Sequence, residues 1–372
     1  MTKNAALVLN LATVEKIKKG GGGEVKPVFS LAAGLLTLVL VTDGAQRILT
    51  PKYVSQAQDG RLVAEYYASA QNHDVVFVGD CEVYENISPV TLWQEYGIST
   101  YVRGSPQQLI WHSYYLMEDT LRYEKPKAFV YNVYAMRYDT PQSEPYNRLA
   151  LDGMAWSEVK SEAVKASMTK EESYLSYVFP LLRYHSRWSE LTAEDFVYAY
   201  AQPPQLSVNG FLMHTGVDGV ETLSQDIDGF EEPISQICWE YLDKMRLLCA
   251  QHGVEFILMK APTNTKKYNW YASWDEAVAA YAKKHGLRYY NFLQHIDGIG
   301  LDYTTDTYDQ GAHLNLAGAE KLSVYIGNLL RHEVGLADRR GQAAYETVWA
   351  ELAQVYAQKK EQNLHTERME TG

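Results

Sequence analysis

The 372 residues include 46% hydrophobic and 22% charged side chains, close to ordinary globular usage and unlike a disordered chain. At roughly 100–200 residues per domain, the length allows two. The net charge is −12, and no Lys/Arg-rich run follows the N-terminal region, so the basic face that nucleic-acid binding needs is absent.

Residues 1–26 contain Lys3, Lys16, Lys18, Lys19 and Lys26 against Glu15 and Glu24. That basic excess predicts a cytoplasmic N-terminal segment, with Gly20 to Gly23 as a flexible break. Residues 27–42 (PVFSLAAGLLTLVLVT) are uncharged and mostly apolar. The run falls slightly short of the roughly 20 residues that span a bilayer. Extension to Ala45 or snorkelling of Lys26 covers the deficit, and 27–45 is read as a transmembrane anchor. The long N-terminal region and Asp43 argue against a cleaved signal peptide. Residues 46–70 read as a linker, and everything beyond it is expected outside the cell membrane.

In the globular part, Asp74–Asp80 (DVVFVGD) is a short apolar, β-branched run that predicts a buried strand. Ser99–Arg103 and Lys127–Val133 predict two more, with a helix over Pro106–Tyr123 between them, its proline near the first turn. A long helix, Pro233–His252, closed by Gly253, precedes a strand at Val254–Lys260. A helix at Trp274–His285, a strand at Leu287–Phe292 and a helix at Ala317–Val334 follow. Apolar strands alternating with helices predict an α/β fold, a flavodoxin-like doubly wound parallel sheet of about five strands. Residues 138–230 break the alternation and read as a helical insertion covering one end of the sheet. Residues 336–372 contain a charged helix, over 340–362, and a tail, as a partner surface or a solvated appendage.

Of the three cysteines, Cys238 and Cys249 share one predicted helix, roughly 16 Å apart at its rise per residue, too far for a disulfide. Both read as buried thiols. The 29 tyrosines suit either a core rim or a sugar-stacking groove. Trp270 and Trp274 fit either a cleft wall or helix packing, and His185 either a packing cluster or an anion contact.

Ligands of such sheets bind beyond the carboxyl ends of the strands. The first strand ends in Gly79-Asp80-Cys81-Glu82, the second in Arg103-Gly104-Ser105, the third in Tyr131-Asn132 and the fourth in Lys260-Ala-Pro-Thr-Asn264. A polar loop, Asp309-Gln-Gly-Ala-His313-Leu-Asn315, precedes the final helix. A thiol on a strand-to-helix turn is activated by the helix N-terminus and by a nearby imidazolium, and neighbouring N–H groups can hold an oxyanion.

GDCE after the first strand, Gly104, Asn132 and the late Asp309…His313-Leu-Asn together resemble the SGNH (GDSL-type) hydrolase family over roughly residues 71–335. Within it they resemble membrane-anchored, outward-facing members that accompany membrane-bound O-acyltransferases. The resemblance implies ester hydrolysis or acyl transfer on cell-envelope polysaccharide, without a metal or organic cofactor. It places Cys81 as nucleophile, His313 as base, and Cys81, Gly104 and Asn132 at the oxyanion hole. The family's nucleophile is usually Ser and its spacing Asp-x-x-His. Here the nucleophile's place holds Cys, and either Asp309 or Asp306 could reach the imidazole; Asp309 takes the orienting role. The implied partners are an acylated surface glycan or small ester, a membrane-bound O-acyltransferase, and the membrane itself. The alternative is a non-catalytic scaffold of the same fold that binds glycan or docks on an acyltransferase.

Overall fold

The computed structural model describes residues 25–70, 72–221, 233–263 and 272–371, with side chains from residue 30 to residue 366. Residues 1–24 of the expected cytoplasmic segment, with its glycine break, and Asn264 and Trp270 lie outside them. The chain divides into two compact units: residues up to Lys52 with Val178–Gln202, and Tyr53–Tyr177 with Pro203–Gly372.

The first unit contains helix α1, Val25–Leu49. Ser30–Leu49 is long and apolar enough to cross a membrane. Its Leu31, Leu35, Leu36, Leu38, Val39 and Leu40 side chains are exposed. The helix overruns the expected anchor, because nothing after Thr42 breaks it until Thr50-Pro51, and a residue before proline is disfavoured in the helical region.

The second unit is α/β. Its strands β1 (Val75–Gly79), β2 (Thr100–Gly104), β3 (Ala128–Asn132), β4 (Glu255–Lys260) and β5 (Arg288–Asn291) form one sheet in the order β2-β1-β3-β4-β5. All pairings are parallel, with Val75 opposite both Thr100 and Ala128, Ala128 opposite Glu255, and Ile257 opposite Arg288. Each predicted strand is present within about a residue, and β1, β2 and β3 are buried throughout, with no polar alternation to obscure their ends.

The strand period of two sends alternate side chains to opposite layers. Val75 and Phe77 join one core with Leu92, Trp93, Leu322, Ile326 and Trp349. Val76 and Val78 join the other with Trp111, Met117, Leu242, Met245 and Val278. The helices supplying the first layer include α2 (Cys81–Tyr84) and α3 (Pro89–Tyr96), and the second begins with α4 (Ile110–Thr120). Pro106 stands ahead of α4 rather than in its first turn, since Gln107 takes a left-handed φ of 54°.

Three expectations are corrected. The stretch read as a linker contributes Arg61–Ala68, whose Leu62, Val63 and Tyr66 are buried. The insertion does not simply cap one end of the sheet. Its helices α5 (Glu144–Leu151) and α6 (Glu158–Ser167) bury Leu151, Ala163 and Val164 against Val63 and Leu116. Val178–Gln202 belongs to the first unit. The return strand of chain lines the β2 edge, where Val102 N–H donates to Asn209 O at 3.0 Å.

Farther on, α7 (Gln236–His252) and α8 (Ala272–His285) flank β4 and β5, and α9 (Leu316–His332) precedes the C-terminal helix α10 (Ala343–Thr371). That last helix is no solvated appendage. Trp349 is 1% exposed, and its ring stacks on Trp93 at 5.0 Å. Leu352 and Tyr356 are buried beside it, and the Tyr356 hydroxyl donates to Glu320 at 2.8 Å. Charged residues on the outer face of α10 hid a buried stripe.

Candidate active site

β1 ends in Gly79, and α2 begins at Cys81 after one residue. Asp80 caps that helix: its carboxylate accepts Glu82 N–H at 3.2 Å and its carbonyl accepts Val83 N–H at 2.9 Å. The tight turn needs the two strand-end glycines. A Cβ on Gly79 would stand 2.5 Å from a Val83 methyl, and one on Gly104 2.9 Å from Tyr84 Cβ. Gly104 is thus required for the close approach of α2 to the sheet.

The loop before α9 brings the His313 imidazole into electrostatic range of the Cys81 thiol. Asp309 Oδ2 lies 2.6 Å from His313 Nδ1, and its Oδ1 accepts His313 N–H at 2.7 Å. The longer Asp-x-x-x-His spacing is taken up by left-handed Gln310 (φ 60°) and Gly311 (φ 88°), which turn the chain back on itself. Asp306 is engaged elsewhere, accepting Asp302 N–H at 2.8 Å and Lys321 Nζ at 2.6 Å. The His-Leu-Asn run is fixed at each residue. Leu314 N–H donates to Asn86 Oδ1 at 2.9 Å, and Asn315 caps α9 through Gly318 N–H at 3.2 Å.

Sequence reasoning missed the second carboxylate at this imidazole. Glu85 Oε2 lies 3.5 Å from His313 Nδ1 and accepts the Tyr308 hydroxyl at 2.6 Å. His214 Nε2 lies 3.8 Å from the other Glu85 oxygen, and its ring stacks on Tyr308 at 4.1 Å. One signal was readable: Glu85 follows Cys81 by four residues, one helical turn, and so shares its face. His214, in the insertion, carried none.

Asn132, the expected oxyanion donor, is fully buried, and its amide nitrogen donates to Glu82 Oε2 at 2.9 Å and faces Asp80 Oδ1 at 3.4 Å. Its amide oxygen accepts Ala261 N–H at 3.2 Å. Lys260 turns inward, its ammonium 2.9 and 3.0 Å from the Glu82 oxygens and 2.7 Å from Ala261 O. Thr263 also donates to Glu82. Arg103 is buried on Asp119 at 3.2 Å under the Tyr66 ring, and Ser105 donates to Gln108 at 3.1 Å. Trp274 is buried in helix packing, while His185 is exposed. Cys238 and Cys249 are buried, and all three cysteines are free thiols.

The site is rich in negative charge. Burial, then the neighbouring Asp80, push the Cys81 thiol up to about 12 against the opposing pull of His313. Burial works against the imidazolium, yet the bond to Asp309 and the nearby Cys81 and Glu85 outweigh it and lift His313 to about 12. Burial opposes ionisation of Glu85 too, but His214, His313 and Tyr308 hold it below the usual carboxylate range. Burial and Glu82 raise Asp80 to about 6. Among the described residues no group of three His, Cys, Asp or Glu could hold a metal ion.

No known protein family matches this chain, and neither does any curated protein or solved structure.

Proposed function

We propose that the chain is a membrane-tethered esterase or acyltransferase of SGNH type, acting outside the cell membrane on O-acyl groups of cell-envelope polysaccharide. The observation carrying this reading is His313, held by Asp309 at 2.6 Å, on a loop near Cys81 at the carboxyl end of a parallel sheet. Such an arrangement does acyl chemistry: a nucleophile, a base beside it, and a carboxylate that fixes the base's tautomer. After the pair sheds one proton, Cys81 sulfur attacks the ester carbonyl and His313 takes the thiol proton. The C–O bond then breaks, the alcohol leaves with that proton, and a thioester remains. Water or a second hydroxyl attacks the thioester through the same imidazole and frees the sulfur. Cys81 N–H, at the first turn of α2, and Gly104 N–H are the proposed oxyanion donors. Asn132 joins them only by exchanging its bond to Glu82. The basic N-terminal segment and the apolar α1 support placing the α/β unit outside.

A second reading is favoured by the raised thiol and the committed Asn132: a non-catalytic scaffold that binds glycan or an O-acyltransferase partner. Purified full-length protein in detergent, given p-nitrophenyl acetate, separates the two. The catalytic reading expects a loss of about 10²-fold or more in Cys81→Ala and in His313→Ala. Equal rates in all three proteins would remove it.

A further inference from the structure

Val178–Gln202 folds as two short helices, Leu181–Tyr184 and Ala193–Val197, around a tight turn at His185–Ser189. The segment is fastened to the C-terminal end of α1. Arg187 donates to Leu49 O at 2.6 Å and grips both Asp195 oxygens at 3.1 and 3.2 Å. The Arg47 guanidinium lies 5.5 Å over the Tyr200 ring. Gly44–Gln46 and Ile48–Thr50 are accordingly half-buried, whereas α1 is exposed from Ser30 to Asp43.

Arg187 and Asp195 are thus engaged within the unit, and the segment's large apolar side chains are left outside. Phe179, Leu182, Trp188, Phe196, Val197 and Tyr200 are 51–73% exposed. A soluble surface rarely concentrates so many large apolar side chains in one short stretch. The level at which they sit identifies what covers them. The uncharged part of α1 ends at Thr42, and the Asp43–Arg47 ion pair at 2.7 Å begins its polar end. In a bilayer that transition is the headgroup boundary, where Trp and Tyr concentrate because their rings are apolar and their edges polar.

We propose that Val178–Gln202 is a lipid-binding collar, seated among the headgroups and first acyl carbons of the leaflet from which α1 emerges. The proposal rests on α1 spanning the membrane. The collar fixes the tilt and depth of α1, since interfacial aromatic anchors and not hydrophobic length set these quantities. A second membrane contact also limits rocking of α1 about its own axis.

The test uses the full chain in vesicles of phosphatidylcholine and phosphatidylglycerol, some carrying lipid brominated near the headgroup end of the acyl chain and others near its terminus. The Trp188 signal is the fluorescence lost in Trp188→Phe, a variant that keeps the aromatic ring. The shallow bromolipid is expected to quench that signal by roughly half, more than the deep one, as an interfacial ring would be. Protein that floats with the vesicles while Trp188 remains open to aqueous acrylamide overturns the collar and leaves the anchor standing. Trp188 shielded from both quenchers means a second copy covers the patch, which also overturns it. Protein that fails to float removes the anchor and the collar together.

Discussion

Asp309 holds His313 at two points, one carboxylate oxygen on the ring nitrogen at 2.6 Å and the other on the backbone N–H at 2.7 Å. The double grip fixes ring and backbone together, so the imidazole has one orientation toward Cys81. The same carboxylate stabilises the positive ring and so works against a neutral base at rest. Asp309→Asn is expected to lower ester turnover by about 10²–10⁴-fold, the scale at which loss of an orienting carboxylate acts. It should also move the rising limb of the pH–rate profile to lower pH, because His313 would release its proton sooner. Activity reduced with an unmoved limb would mean that Asp309 only supports the loop.

The thiol itself gives a second prediction. Burial and Asp80 raise the Cys81 thiol to about 12, so it keeps its proton as pH climbs through neutrality. Alkylation of Cys81 by iodoacetamide should accelerate roughly tenfold per pH unit between about pH 7 and pH 10, as the thiolate fraction grows. Buried Cys238 and Cys249, replaced by Ala, remove the background. His313→Ala should slow labelling further, since the imidazole pulls the thiol down. A labelling plateau reached below about pH 7.5 would contradict the carboxylate-rich environment described for the site.

The strands and the relay were legible for different reasons. β1, β3 and β4 are buried along nearly their whole length, and each appears in the sequence around a short apolar run. Cys81 and Asn132 could be singled out because a parallel sheet brings its strand ends to one rim, whatever their separation in sequence. Glu85 and Tyr308 could not be read that way, since their meeting depends on how the Asp309 loop turns at Gln310. The role of α10 was hidden by composition: its many charges mask Trp349, Leu352 and Tyr356, which sit on one face. Lys260 at a strand end suggested a site-facing cation, but burial turned it onto Glu82.

Trp349 tests the place of α10 in the fold. Its ring lies 5.0 Å from that of Trp93 with 9° between the planes, and Trp93 is also buried. Trp349→Ala removes one of the largest buried side chains and should cost about 3–5 kcal/mol. Urea unfolding of the full chain followed by circular dichroism should show the loss as a lower midpoint with an unchanged slope. A change within about 0.5 kcal/mol, as for an ordinary surface position, would return α10 to the status of an appendage.

Glu82 and Lys260 bear on both stability and the site. Their side chains are 1% and 0% exposed, 2.9 Å apart, and Glu82 also accepts Asn132 and Thr263. Lys260→Met leaves the carboxylate buried without its counter-charge, and breaking such a pair costs about 3–5 kcal/mol. The double variant Glu82→Gln, Lys260→Met removes both charges and should recover most of that loss, because the penalty comes from the orphaned charge rather than from the pair's own attraction. The introduced glutamine would still accept the Asn132 amide through its side-chain oxygen, so the double variant should also retain turnover better than Lys260→Met. If the double variant proved as unstable as the single one, the pair would matter through packing of the lysine stem beneath Tyr134, 4.8 Å from the ammonium, and not through charge.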